Sequence, residues 1–334
     1  MLRATDQGLY CEAGDFFIDP WAAVSRAVIT HAHSDHAQPG SAAYLTARPG
    51  ERLLRARLGD EATIETLDYG QAVTLNGVRV SLHPAGHILG SAQVRLERHG
   101  EVWVVSGDYK IEPDPTCAPF EPVRSHAFVS ESTFGLPIYR WPPQAEVFAE
   151  INAWWRANRE RGRASVLFGY ALGKTQRLLA GLDPSIGPIC THGAVERINM
   201  LYRAAGVELP ATGYAGASSA GYAGAMLVAP PSANGSPWLR RFPARSTGFA
   251  SGWMRIRGTR RRRFVDRGFV LSDHADWPGL LSAIQSTGAA RVLVTHGYRS
   301  AMVRWLSERG LEAQALDTRF EGERDDLPEP EEAA

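Results

Sequence analysis

The chain has 334 residues, 44% of them hydrophobic and 22% charged, and its 36 basic and 36 acidic side chains cancel to a formal net charge of zero. That composition fits a globular protein with one large core or two smaller ones and excludes fibrous and low-complexity classes. No stretch approaches the roughly 18 uncharged apolar residues of a membrane span, and the N-terminal MLRATDQGLYCEAGD lacks the apolar centre of a signal peptide, so a cytoplasmic address is expected. Cys11, Cys117 and Cys190 are odd in number and widely spaced, which gives neither a disulfide framework nor a CxxC pattern. Any metal here must be held by histidine and carboxylate.

Short apolar runs recur along the chain and stop at chemically useful residues. Phe16-Phe17-Ile18 stops at Asp19, and Ala27-Val28-Ile29-Thr30 stops at His31. The helical spacing of Glu51 to Leu58 comes next, then a run from Val80 to Leu82 that leads through Pro84 and Gly86 to His87. Val102 to Val105 ends at Gly107-Asp108, and Ala127 to Val129 ends at Glu131. A helix is predicted from Pro143 to Asn158, and after it the chain reads as an α/β unit of its own. That unit has strands at Ser165 to Phe168, Pro188 to Cys190 and Met226 to Ala229, with helices at Lys174 to Leu182 and Ala194 to Ala205. The earlier pattern then resumes: Gly268 to Leu271 stops at Asp273-His274, Asp276 caps a helix from Trp277 to Ser286, Arg291 to Val294 stops at His296, and Arg299 to Arg309 is amphipathic. The middle unit is therefore read as an insertion into a larger fold, whose strand ends line one crevice.

The stretch THAHSDHA places His31, His33, Asp35 and His36 within six positions of a chain that has ten histidines in all. Buried imidazoles need partners and a surface gains nothing from such a cluster, whereas two cations side by side explain it. Nitrogen and oxygen donors of this kind favour Zn²⁺ and tolerate Mn²⁺ or Fe²⁺. His83 competes with His87 as a ligand but is read as packing, as are His192 in CTHGA and the tryptophans, while His99 and His126 are read as exposed. A second signal is charge. Between Trp238 and Arg267, ten arginines face Asp266 alone, a net charge of +9 that the rest of the chain offsets. A polyanion would find such a patch. From Phe320 onward the chain is acidic, proline-bearing and aperiodic, as a disordered tail would be.

THAHSDHA resembles the signature loop of the metallo-β-lactamase fold, and AGHILGSA with SGDY resembles the next two motifs of its nucleic-acid-processing branch, the β-CASP nucleases. ESTFG, LSDHADW and VTHGY resemble that branch's motifs A, B and C, and YALGKTQRLL resembles a segment of its insertion, with Lys174 where many relatives carry arginine. The likeness runs from about Asp15 to Tyr298. It implies an α/β fold, the metallo-β-lactamase αββα sandwich, with an inserted and shortened β-CASP domain. The expected divisions are 1–135 and 266–318 for the sandwich, 136–265 for the insertion and 319–334 for the tail. It implies one metal on His31, His33, His87 and Asp108, and a second on Asp35, His36, His296 and the same Asp108. Asp19 would fix the loop or a metal-bound water, His274 would protonate the leaving 3′ oxygen of a phosphodiester, and Glu131 would orient His274.

The insertion and the basic run SGWMRIRGTRRRR favour a polynucleotide substrate, with Lys174, Arg255, Arg257, Arg260, Arg261, Arg262 and Arg263 as expected backbone contacts. His296 at motif C points towards RNA. The short insertion, the SDHADW form and the length look most like the bacterial ligase-associated DNA exonucleases, related to messenger-RNA 3′-end processing factors. The expectation is a DNA exonuclease of repair, working alongside a DNA ligase and a helicase. The alternatives are an RNA 3′-end processing nuclease and, from another class, a nucleic-acid-binding subunit with weak catalysis.

Overall fold

In the computed structural model, residues 1–216, 221–256 and 264–318 are described. The chain forms two units, one made of Met1–Arg140 with the segment that starts at Asp273, the other of Trp141–Ser272.

The first unit holds two sheets. Six strands lie in chain order in one of them: Leu2–Ala4, Leu9–Cys11, Phe16–Ile18, Arg26–Val28, Ala43–Ala47 and Ile64–Leu67. The other has seven, in the order Glu312–Ala315, Arg291–Thr295, Ala127–Glu131, Glu101–Val105, Ala92–Arg98, Val78–Pro84 and Ala72–Leu75. Side chains alternate faces along a strand, and here the alternation sorts the core into two layers. Val80, Leu82, Trp103, Val105, Val129 and Leu293 pack with Phe16, Ile18, Val28 and Leu45 of the first sheet. Their neighbours Val102, Val104, Phe128, Val292 and Val294 point the other way, onto Leu280 and Ile284 of the helix Trp277–Thr287 and Met302 and Leu306 of the helix Arg299–Ser307. Sheet therefore lies on sheet, with helices on the far face of the seven-stranded one. The first of these helices starts where expected and ends one residue later, at Thr287: Asp276 Oδ1 accepts from Gly279 N at 2.9 Å, and Gly288 closes it at φ 67°.

The second unit is a six-stranded parallel sheet in the order Gly213–Tyr214, Ile189–Thr191, Met226–Ala229, Ala164–Phe168, Arg245–Ala250 and Arg267–Phe269. Its core gathers Trp154 and Trp155 of the helix Gln144–Glu160 with Leu178 and Leu179 of the helix Lys174–Gly181.

Two expectations change. The crevice is not built on one sheet, because Asp19 and His31 follow strands of the six-stranded sheet while Asp108, Glu131 and His296 follow strands of the seven-stranded one. The strand expected before Asp273 forms as Arg267–Phe269 but belongs to the second unit, where Phe269 lies edge-on against Trp154 with ring centres 5.5 Å apart. The chain passes back to the first unit between Ser272 and Asp273.

Because Phe128 is fully buried between sheet and helices, Phe128→Ala should lower stability by about 3–5 kcal/mol, against about 0.5 or less for Arg79→Ala on the exposed face of the same sheet. Urea denaturation of the two variants checks this, and equal midpoints would contradict the layering.

Candidate metal centre

Within the first unit, His31, His33, His87 and Asp108 form one group of potential ligands and Asp35, His36 and His296 another, the donor atoms of each group lying within 4.8 Å of one another. Asp108 stands between the two groups. Its Oδ2 lies 3.6 Å from His31 Nε2, 3.5 Å from His36 Nε2 and 3.9 Å from His87 Nε2, while Oδ1 lies 3.9 Å from His296 Nε2. That second oxygen is buried and has no hydrogen-bond partner among the described residues. One carboxylate thus offers an oxygen to each group, as a bridging ligand must.

The aim of each imidazole is set by what its other nitrogen does. Asp19 is the main anchor. Its Oδ1 accepts from Thr30 N at 2.7 Å, and its Oδ2 accepts from the Thr30 hydroxyl at 2.6 Å and from His36 Nδ1 at 2.7 Å. With its proton committed to Asp19, the Thr30 hydroxyl accepts from His31 Nδ1 at 3.0 Å. His31 and His36 therefore both turn Nε2 towards Asp108, as a lone pair in the neutral His31. His87 is fixed in the same sense by Nδ1–H donation to the Asp273 carbonyl at 2.9 Å. The Thr295 hydroxyl donates to the Ser130 carbonyl at 3.4 Å and accepts from His296 Nδ1 at 2.8 Å, so it serves His296 as Thr30 serves His31. His33 presents Nδ1, 3.1 Å from both His31 Nε2 and His87 Nε2. Three ring nitrogens at that spacing, with the outer protons already placed, bring lone pairs together, and a cation among them relieves the repulsion.

Electrostatics agree with a ligand set. Burial, reinforced by neighbouring imidazoles, holds His31 and His87 well below the usual histidine range, so both are neutral donors. Burial also lowers His296. For Asp108 burial acts upward, but His36, His274 and His296 bring the carboxyl well below its ordinary value. Burial pulls His36 down, yet Asp35, Asp108 and Asp19 together raise it well above its ordinary value, which makes it the proton that a metal on this side has to displace.

The backbone is shaped for this purpose. Asp19 and His296 sit at φ 43° and φ 52°, left-handed conformations that non-glycine residues adopt rarely and at some cost. Gly107 precedes Asp108 at φ 56°, where a Cβ would lie 2.6 Å from Thr30 Oγ1. Only glycine lets the Asp108 loop approach the Thr30 relay.

Beside the two groups, His274 Nδ1 lies 3.0 and 2.9 Å from the two oxygens of Glu131, which also accepts from Tyr109 N at 2.8 Å. Both side chains are buried. His274, Glu131 and Asp108 offer donor atoms within 4.8 Å of one another. The sequence-predicted Asp19, His31, His33, Asp35, His36, His87, Asp108, Glu131, His274 and His296 are thus brought together. His83 is not among them; it is half-buried with Nε2 3.1 Å from Ser81 Oγ. His192 accepts from Ala194 N at the head of the helix Gly193–Ala204. Thr30, Thr295 and the Asp273 carbonyl escaped the sequence reading, although a threonine directly before the histidine in both THAHSDHA and VTHGY was a visible signal.

The expected nucleic-acid contacts fare differently. Lys174 is 1% exposed at the start of its helix. Arg255 is exposed at the end of the short helix Gly252–Arg255. Arg257, Arg260, Arg261, Arg262 and Arg263, and the tail from 319, lie outside the described residues. Among the described residues, Cys11, Cys117 and Cys190 form no disulfide with one another. Among the described residues no helix is long and apolar enough to cross a membrane.

No family model matches the chain. It is 34% identical over 312 residues to a protein of Opitutus terrae named "Probable DNA ligase", a match that spans 92% of this chain and 30% of that protein. It is 32% identical over 142 residues to the Endoribonuclease ysh1 of Aspergillus fumigatus, spanning 42% of this chain and 16% of that one. With the Endoribonuclease YSH1 of Saccharomyces cerevisiae it shares 32% over 122 residues, 36% of this chain and 15% of the other. The chain therefore spans less than a third of the length of these curated relatives. Among solved structures, a protein of unknown function from Enterococcus faecalis V583 superposes with a TM-score of 0.56 at 11% identity, over 89% of this chain and 80% of that one, a likeness of fold.

If Asp19 aims both His31 and His36, Asp19→Asn should weaken metal binding by about 10- to 100-fold and Thr30→Val by less, whereas His83→Ala should leave it unchanged. Zinc competition against a chromogenic chelator measures this; equal affinity in wild type and Asp19→Asn would contradict the relay.

Proposed function

Because the chain belongs to the β-CASP nuclease family of the metallo-β-lactamase fold, we propose that it is a two-metal phosphodiesterase that shortens DNA from an end during repair. The observation that carries this reading is the convergence of five histidine nitrogens on the two oxygens of Asp108, which fits a pair of divalent cations with Zn²⁺ as the preferred ion and Mn²⁺ as the alternative. His31, His33, His87 and Asp108 would hold one, and Asp35, His36, His296 and Asp108 the other. Bound there, the cations would supply positive charge against developing phosphoryl charge and acidify a water for attack.

The chain's own residues supply the rest. Glu131 accepts from His274 Nδ1 and so leaves Nε2 as the nitrogen that can give a proton to the departing 3′ oxygen. Tyr109 N fixes Glu131 from behind and stops the pair from rotating away. The inserted unit is read as the shortened β-CASP domain, and the basic run through Arg255, Arg257 and Arg260 to Arg263 as the phosphate contact.

The choice of DNA is supported by the 92% coverage in the match to the protein named as a DNA ligase, which also suggests a working partnership with ligation and, by extension, a helicase. The endoribonuclease relatives, matched over 42% and 36% of the chain, favour the second reading, an RNA-processing nuclease.

Matched, end-labelled single-stranded DNA and RNA offered to metal-loaded protein should give stepwise shortening of the DNA. His274→Ala should lose about 10²- to 10⁴-fold in rate at unchanged metal content, and Glu131→Gln less. Preferred RNA cleavage moves the protein to RNA processing, and no cleavage of either overturns the nuclease reading. Replacement of Arg260 to Arg263 should weaken DNA binding and flatten its salt dependence, the slope falling by about 0.7 for each phosphate of a single strand that is no longer neutralised.

A further inference from the structure

The second unit has a cavity of its own, about 710 Å³, well away in sequence from any residue of the metal centre. It opens at the carboxyl ends of three adjacent parallel strands, Gly213–Tyr214, Ile189–Thr191 and Met226–Ala229, the edge where sheets of this kind take ligands. Its volume lies in the range of small-molecule sites.

Two features of the lining need an explanation. Arg197 is half-buried in the wall, and among the described residues no hydrogen bond or ion pair reaches its guanidinium. Arg241, also half-buried, donates to the Gly216 carbonyl at 3.2 Å and meets no carboxylate among the described residues. The acidic residue in the wall, Glu196, does not neutralise them. It accepts from the hydroxyls of Thr191 and Thr212, from Asn199 and from Arg203. Two partly desolvated cations facing one cavity call for an anion. The other walls are unlike a simple phosphate site. Met200, one helical turn beyond Arg197 on the same face, is 56% exposed and Tyr214 is 66% exposed, both large apolar side chains open to the cavity, with Trp238 beside them.

We propose that this cavity binds a nucleotide carrying a phosphomonoester, with Arg197 and Arg241 holding the phosphate and Tyr214, Met200 and Trp238 forming the surface against which the base lies. The choice of a nucleotide over another aromatic anion rests on the nuclease reading above. The same chemistry has two sources, a free mononucleotide and the phosphorylated end of a strand.

The test is calorimetric titration of the full-length protein with AMP and with adenosine, repeated on Arg197→Ala/Arg241→Ala. AMP should bind about tenfold or more tightly than adenosine, and the double variant should lose that advantage while its circular dichroism stays unchanged. AMP and adenosine binding alike, or wild type and variant binding AMP alike, overturns the inference. Tyr214→Ala decides the matter if the arginine variant misfolds: it should weaken AMP and adenosine together, and no effect on either counts against the base-binding wall. Oligonucleotides with and without a 5′ phosphate separate the sources, since a strand terminus predicts an arginine-dependent preference for the phosphorylated form and a free nucleotide predicts AMP binding without one. Cleavage measured on the same preparations keeps the two readings apart. A protein that cuts DNA but ignores AMP refutes the cavity assignment alone, and one that binds AMP but cuts nothing refutes the nuclease assignment alone.

Discussion

Burying an imidazole removes two nitrogens from water, and a cluster of five can exist in a protein interior only if every outer nitrogen is given a partner and every inner one a common target. Asp19 meets much of that demand. It binds the amide and hydroxyl of Thr30 and the ring of His36, and through the hydroxyl it aims His31. A carboxylate that touches neither proposed cation thereby orients one ligand of each. The left-handed backbone at Asp19 follows from the same constraint, since the chain must turn sharply off its strand to bring the carboxylate under the loop.

The sandwich explains why such a cluster sits where it does. The alternation that sends Trp103 and Val105 to one face and Val102 and Val104 to the other ends at Gly107, and from there Asp108 emerges between the edges of two sheets rather than into either core. Asp108, Glu131 and His296 follow strands that are neighbours in the seven-stranded sheet, while Asp19 and His31 follow neighbours in the six-stranded one. Donors from the ends of both sheets meet at the site with those of the loop between Arg26–Val28 and Ala43–Ala47, each group converging to within 4.8 Å.

The clustering of the candidate ligands was legible in the sequence because several of them lie at or just past the end of an apolar run, so local pattern and chemistry coincide. The threonine relays were not, since a hydroxyl next to a histidine has no periodicity to betray it, and the Asp273 carbonyl is a backbone group that no side-chain reading could single out. The burial of Lys174 was hidden for a related reason. A lysine at a helix start reads as a phosphate contact, whereas its burial depends on packing that distant segments create. The run from Gly268 to Leu271 was correctly read as extended, but sheet membership is a matter of partners. Phe269 found Trp154, more than a hundred positions away. The helix Trp277–Thr287 was easier, because Asp276 and Gly288 mark its ends within the local sequence.

The strand Arg291–Thr295 lies in register against Ala127–Glu131, and the Ser132 hydroxyl donates to the Thr295 carbonyl across a separation of 163 positions. During synthesis the earlier strand must therefore wait, one edge of its backbone unsatisfied, until the whole of the second unit has left the ribosome. In that interval the second unit, with its own sheet and core, can settle first, and a folded unit in place of a free chain shortens the effective loop that the late strand has to close. His296, the last of the clustered donors along the chain, joins the others at the end of this sequence. A nascent chain would hold that strand edge open to wrong partners throughout this interval.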